Sequence, residues 1–349
     1  MKNISPHIFN KAVIREEIDL KALNSFQVAT SARYFADVND VEQLKLLMQQ
    51  SVARDHKTLI LGGGSNILFS SYFNGLVTKV SIPGIELVSE DDKYVWVKAG
   101  AGVNWHAFVQ FCLKQNYAGV ENLSLIPGSV GAAPIQNIGA YGIEVEQVFS
   151  QLEALDRNSG KLRQFDKKDC RFAYRDSVFK NELKNQFIIT SVTLKLNKTP
   201  ELNLNYGAIN QTLDEMNVKN PTIQDVSEAV CRIRMSKLPD PAVLGNSGSF
   251  FKNPVIHGSD FQALNKKFPK MPHYELDDGR IKIPAGWLIE KVGWKGRTIG
   301  KTGTHKKQAL VIVNYGGATG KEIYDFAMQV QQAIKEKFGI TLMPEVNVV

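Results

Sequence analysis

Cysteine is scarce in this 349-residue chain: Cys112, Cys170 and Cys231 are the only three, far apart and with no C-x-x-C pair. That spacing excludes a disulfide framework and a zinc knuckle, and leaves three small, buried, reduced side chains as the expectation. Histidine is scarce too, six in all and none in an H-x-x-x-H pair, so no metal is expected. Long apolar runs are missing. The longest is Ala309-Leu310-Val311-Ile312-Val313, far below the ~20 residues that span a bilayer. The opening Met-Lys-Asn-Ile-Ser-Pro-His leads to Arg15, Glu16 and Glu17 with no apolar stretch. No secretory signal and a cytoplasmic location are therefore expected.

What is present is ordinary globular material, 43% hydrophobic and 22% charged, which excludes disorder and low complexity. At roughly 150 residues per domain the length suggests two domains or slightly more. Basic residues exceed acidic ones by 42 to 35, without a long run or a helix stripe. Composition leaves both nucleic acid and small polyanions such as nucleotides open as the reason.

Along the chain the pattern is mixed α+β with no internal repeat. Asn39 or Asp40 can cap a helix that carries Val41, Leu44, Leu47 and Met48 and ends near Asp55. Lys57 to Leu61 reads as a buried strand, as do Tyr94 to Val97 and Phe187 to Leu194, with a helix from Trp105 to Gln115 between them. Thr222 and Asp225 resemble a capping box; Val226, Ala229, Val230 and Ile233 then form one apolar face. Pro239 and Pro241 mark a plausible junction. A last helix, about Gly320 to Phe338, ends at Gly339.

Two glycine loops stand out. The first, Gly62-Gly63-Gly64-Ser65-Asn66, follows a strand, but Ile67 occupies the third glycine position of G-x-G-x-x-G and no helix pattern follows, so a Rossmann fold fails. Gly300-Lys301-Thr302 fails as a P-loop, because only three residues separate Gly296 from Gly300. Without a helix, glycines still let backbone N–H groups converge on an anion; the alternative is a tight turn. The second loop, Ile126 to Gly142, interleaves glycines with Ile126, Val130, Ile135 and Ile138. It is too irregular for a regular element, and its backbone can lie flat against a large planar ligand.

These loops, with Asn24-Ser25-Phe26, Tyr174-Arg175-Asp176-Ser177-Val178-Phe179-Lys180, Gly248-Ser249-Phe250-Phe251-Lys252-Asn253-Pro254, Ala285-Gly286-Trp287-Leu288-Ile289 and Pro344-Glu345-Val346, follow an order that resembles the UDP-N-acetylenolpyruvoylglucosamine reductases, flavoproteins of peptidoglycan precursor synthesis. The resemblance covers essentially the whole chain. It implies an α+β, vanillyl-alcohol-oxidase (PCMH) type FAD-binding fold in two lobes plus an α+β substrate-binding domain. Lobe 1 would span residues 1–68, with residues 344–349 returning to it. Lobe 2 would span 69–236, with a tyrosine loop near 202–210, and the substrate domain 237–343.

The implied FAD contacts are Gly62, Gly63, Gly64, Ser65 and Asn66 in the first loop. In the second they are Pro127, Gly128, Ser129, Gly131, Ala132, Gln136, Asn137, Gly139, Ala140, Tyr141 and Gly142. Neither loop holds Cys or His, so the FAD would be non-covalent; that also argues against the runner-up, another flavin oxidase of this fold. NADPH is the implied co-substrate, delivering hydride through the flavin to the enolpyruvyl ether of UDP-N-acetylglucosamine. Arg175 would grip the substrate carboxylate; its alternative is a structural ion pair with Asp176. Ser249 would protonate the α-carbon, the alternative being a cap or turn serine. Glu345 would sit beside the enolpyruvyl group, either as a neutral acid or to orient the donor, unless it is merely a surface carboxylate. Tyr174, Tyr206, Lys237, Asn253, Tyr274, Lys295 and Gln308 match the family's substrate positions, with Gly207 as a hinge for Tyr206. Asn347 stands where some relatives carry arginine. A monomer without nucleic-acid partner or membrane insertion is implied.

Overall fold

The computed structural model describes residues 12–349; residues 1–11, which include the stretch read for a signal, lie outside the described residues. The chain forms two units. One takes residues 12–18, Ala32–Gly63 and Asn74–Arg234; the other takes Asp19–Ser31, Gly64–Phe73 and Met235–Val349. The chain thus leaves the first unit after Ile18, Gly63 and Arg234, where boundaries after residues 68 and 236 were expected. Short-range bonds tie the brief segments to the second unit: Ser25 N–H donates to Gly64 O at 3.0 Å, and Asn347–Val348 pairs in parallel with Ile67–Leu68.

The first unit holds a four-stranded and a five-stranded sheet besides a short hairpin. One runs Ile14–Asp19, Ser31–Val38, Phe73–Val80, Thr58–Leu61 in spatial order, the last two parallel. The other is antiparallel: Leu162–Asp166, Phe149–Asp156, Phe187–Asn197, Tyr94–Gly100, Ile85–Glu90. Alternation in Tyr94–Gly100 points Val95, Val97 and Ala99 inward, onto Trp105, Phe108, Val109 and Cys112 of helix Trp105–Lys114. Each large side chain so buried stabilises the fold by about 1.5–3 kcal/mol. Trp105 keeps its polar end satisfied by donating Nε1–H to Leu123 O at 2.9 Å. Asp40 caps its helix by accepting from Gln43 N–H at 2.7 Å, but the helix expected to reach Asp55 breaks at Gln50, whose extended backbone separates Val41–Met48 from Ser51–Asp55. The capping box at Thr222 is present, with Asp225 N–H to Thr222 Oγ1 at 3.3 Å and Thr222 N–H to Asp225 Oδ2 at 2.9 Å, and opens helix Ile223–Lys237.

The second unit is built on the antiparallel sheet Gly245–Ser249, Val311–Asn314, Thr302–Thr304, Thr298–Ile299. Helix Gly320–Phe338 begins in a Thr319–Glu322 capping box and ends at left-handed Gly339. Its face of Ile323, Phe326, Ala327, Val330 and Ile334 joins a core containing Phe250, Phe251 and Ile312.

Candidate active site

In the first unit the two glycine loops meet. A Cβ built on Gly63 would stand 2.9 Å from Gly128 Cα, and one on Gly62 would stand 2.5 Å from Ser129 Oγ. The loops therefore approach backbone on backbone, which only glycine permits. The second loop is pinned to the start of helix Trp105–Lys114: Gly128 O accepts from Trp105 N–H at 3.0 Å, and Asn104 bridges to Ser129. Farther on, Gly131 N–H donates to Ala101 O at 3.0 Å.

Expected to lack regular structure, the Ile126 to Gly142 segment instead contains two short 3₁₀ turns, Val130–Ala132 and Pro134–Gln136, and then a hairpin pairing Gly139–Ala140 with Ile143–Glu144. Tyr141 and Gly142 both have positive φ at its two-residue turn, the signature of a twist-matched turn. Hydrogen bonds within the segment replace the open backbone expected from its composition. Asn137 is fully buried; its amide donates to Glu144 Oε2 at 2.9 Å and Ala173 O at 3.2 Å, and its carbonyl accepts from Glu146 N–H at 3.0 Å. This side chain is spent on holding the hairpin.

Arg175 reaches the same hairpin. Its guanidinium donates to Glu144 Oε1 at 3.1 Å, Gly139 O at 2.5 Å and Asn137 O at 3.3 Å. Asp176, the ion-pair partner considered from sequence, accepts instead from Ser177 N–H at 3.0 Å and Asn181 Nδ2 at 3.1 Å. Tyr174 lies under the guanidinium, 5.1 Å from ring centroid to Cζ. Tyr206 stands edge-on to Tyr141 with centroids 5.3 Å apart and is half exposed. Gly207, expected as a loop hinge, opens helix Gly207–Glu215 with Tyr206 as its N-cap.

The second unit carries the other set. Gly64 has φ +65, and a Cβ there would overlap Leu23 O. Asn66 Nδ2 donates to Glu345 O at 3.2 Å, and Ser65 O accepts from Ser247 Oγ at 2.5 Å. Ser249 ends strand Gly245–Ser249 after left-handed Gly248. Phe250 and Phe251, buried beneath it, anchor the turn: Phe250 O accepts from Glu345 N–H at 2.8 Å, and Phe251 bridges to Pro344. Ser249, at the end of its strand, and Glu345, in the non-strand segment bonded to Phe250, thus lie on adjacent stretches of chain, both partly exposed. Asn347 donates through Nδ2 to Asn66 O at 3.0 Å, so this departure from the family pattern has a backbone-holding use. Asn253 Oδ1 accepts from Ala285 N–H at 2.9 Å at the start of helix Ala285–Lys291. Lys295 pairs with Glu290 at 2.6 Å. Tyr274 and Lys237 are exposed, and Gln308 is half-buried.

Two residues escaped the sequence reading. His106 Nδ1 accepts the Leu125 N–H at 3.0 Å, and burial holds its pKa below the ordinary value, with Arg234 adding to the effect. Arg234 donates from Nε to Leu125 O at 3.2 Å. The available signal was a charged residue beside Ile233, at the edge of an otherwise apolar helix face. Among the described residues no cluster of His, Cys, Asp or Glu could hold a metal ion, and no helix is long and apolar enough to cross a membrane.

Comparison with known proteins bears on both units. Residues 32–166 match an FAD binding domain, and residues 240–349 match the UDP-N-acetylenolpyruvoylglucosamine reductase C-terminal domain. A protein named UDP-N-acetylenolpyruvoylglucosamine reductase from Amoebophilus asiaticus is 50% identical over 96% of this chain and 99% of its own. One from Flavobacterium johnsoniae is 48% identical over 96% and 99%. The crystal structure of the enzyme so named from Thermus caldophilus superposes with TM-score 0.65 at 23% identity, over 97% of this chain and 99% of its own. The fold is the expected α+β type with a vanillyl-alcohol-oxidase-like FAD-binding domain.

Proposed function

The chain belongs to the UDP-N-acetylenolpyruvoylglucosamine reductase family, and we infer from this that it is an NADPH-dependent flavoenzyme reducing UDP-N-acetylglucosamine enolpyruvate to UDP-N-acetylmuramate. The observation that carries the reading is the backbone contact of the two glycine loops at Gly63 and Gly128. It fits FAD: close peptide strands with no side chains between them offer N–H groups to a pyrophosphate. The cradle would be held by Gly62 to Asn66 and by Pro127, Gly128, Ser129, Gly131, Ala132, Gln136, Asn137, Gly139, Ala140, Tyr141 and Gly142. Bound FAD supplies hydride carriage from NADPH to the substrate.

The chain's own residues do the rest. Reduction adds a hydride to the methylene carbon and a proton to the α-carbon, and negative charge develops on the substrate carboxylate between the two events. Arg175 supplies a permanently charged, planar donor set for that carboxylate. Its bonds to Glu144, Asn137 and Gly139 fix the guanidinium in advance, so little ordering is left for the reaction to accomplish. Ser249 Oγ donates the proton to the α-carbon; its position after Gly248 aims it from a strand end whose backbone is locked by Phe250. Glu345 polarises the acceptor or orients that donor. Lys237 and Lys295 place positive charge for the diphosphate, with Tyr174, Tyr206, Asn253, Tyr274 and Gln308 toward the rest of the sugar nucleotide.

We place the protein in the cytoplasm as a monomer, without nucleic-acid or membrane partners. Its three cysteines are all free, which suits a reducing compartment. The test is direct. Purified protein should be yellow, release all its flavin to the supernatant on acid precipitation, and oxidise NADPH with formation of UDP-N-acetylmuramate by mass spectrometry. A colourless protein, or flavin retained on the chain, would sink the reading.

A further inference from the structure

Leu125 stands at the entry of the second glycine loop with φ +58, a conformation a branched side chain rarely holds unaided. Both of its peptide groups go to side chains. The N–H donates to His106 Nδ1 at 3.0 Å, and the carbonyl accepts from Arg234 Nε at 3.2 Å. The same guanidinium lies beside Tyr141, which closes the loop and is also left-handed, at φ 51. One half-buried arginine therefore bonds the first strained end of the segment and stands against the second, and one histidine locks its entry to the helix that holds Gly128.

We propose that His106 and Arg234 form a clamp on Leu125 and Tyr141 that sets the shape of the second loop, making them positioning residues for FAD. The proposal rests on the flavin reading above. Neither residue need touch the cofactor. Each acts through a backbone whose left-handed ends would otherwise relax, carrying Gly128 and Gly131 away from the first loop.

The clamp requires a neutral imidazole, because Nδ1 must accept. The groups facing His106 and its partners are Arg234 and Cys231 on helix Ile223–Lys237, Tyr141 on the hairpin, and Tyr206 packed edge-on against Tyr141. Burial and Arg234 both disfavour the imidazolium. Once protonated, Nδ1 becomes a donor facing the Leu125 N–H, and the bond is lost. The clamp is therefore complete above the ordinary histidine range, ~6.5, and opens as pH falls through a lower value.

The experiment follows flavin release from the holoenzyme, by recovery of flavin fluorescence after dilution, against pH. In wild type, release should quicken as pH falls below about 6.5. His106→Leu should release FAD about tenfold faster at neutral pH, the effect of roughly one hydrogen bond, with the acid limb gone. Arg234→Gln should release it faster still, having lost contacts at both ends. His106→Asn keeps an acceptor oxygen near the Nδ1 position and cannot titrate; it should retain FAD as wild type does at neutral pH and show no acid limb. Because this variant preserves the bond, it tests the clamp even if His106→Leu folds poorly. Wild-type acid sensitivity in His106→Asn, or wild-type release in folded His106→Leu, overturns the clamp while leaving the flavin reading intact. Wild-type protein that binds no FAD overturns both.

Discussion

The glycine cradle of the first unit and the adjacent Ser249 and Glu345 segments of the second solve opposite problems. The cradle is defined by what is left out. Gly62, Gly63 and Gly131 sit where a Cβ would strike another backbone or side chain at 2.5–2.9 Å, and its one fully buried amide, Asn137, serves the loop itself. The second unit presents side chains. Gly248 has open space around an added Cβ, and its value is a φ of +67 at the strand irregularity just before Ser249. Glycine is thus used for space at Gly62, Gly63 and Gly131 and for backbone angle alone at Gly248. Under the proposed function, a planar cofactor would need the first and a proton-donating hydroxyl the second.

The largest effect expected is at the presented side chain. Ser249→Ala should slow the substrate half-reaction by roughly 10²–10⁴-fold and leave the NADPH half-reaction intact, with partial recovery in Ser249→Cys. Stopped-flow absorbance separates the two steps; equal slowing of both would make the serine structural. Next, the two uses of glycine can be set against each other. Gly131→Ala would drive a methyl to 2.5 Å from the Ala101 Cβ, costing about 1–3 kcal/mol together with flavin content. Gly248→Ala should cost about 1–2 kcal/mol and keep the flavin, with the loss appearing in turnover. Thermal melting and flavin stoichiometry measured on both would break the comparison if the two variants behaved alike.

Asn137→Ala tests whether the cradle is held internally. Stranding Glu146 N–H and Ala173 O should cost about 1–3 kcal/mol, read from denaturant midpoints, and the loss should remain when flavin is stripped. Tyr206→Phe removes one hydroxyl from a half-exposed ring, so substrate should bind up to about tenfold more weakly with NADPH-dependent flavin reduction unchanged. Unaltered substrate affinity would remove Tyr206 from the site. The smallest effect expected lies just before the second loop. Glu121 is buried, and burial raises its pKa, against the backbone N–H of Gly119 at 2.6 Å. The folded state therefore favours the protonated carboxyl, and this favourable contribution fades as pH rises through the raised value. Glu121→Gln should gain stability relative to wild type between about pH 4 and 8; a constant difference across that range would contradict the assignment.

Much was legible because it was local. Alternation in Tyr94 to Val97, the Thr222–Asp225 cap, and the Gly339 stop depend on residues within one or two turns of each other, and all are present. The order of the glycine loops with the Arg175, Ser249 and Glu345 motifs carried the family and the α+β FAD-binding fold. Length, composition and scarce cysteine had already excluded a disulfide scaffold. Tertiary structure decided what each polar group is spent on. Arg175 turned to Glu144, 31 residues away, rather than to adjacent Asp176; Gly207 joined a helix; Asn347 took the carbonyl of Asn66; and Arg234 crossed to Leu125, 109 residues earlier. Local rules choose a backbone conformation, but a buried donor takes whichever acceptor the folded chain brings within about 3 Å, and only the completed packing fixes which acceptor that is.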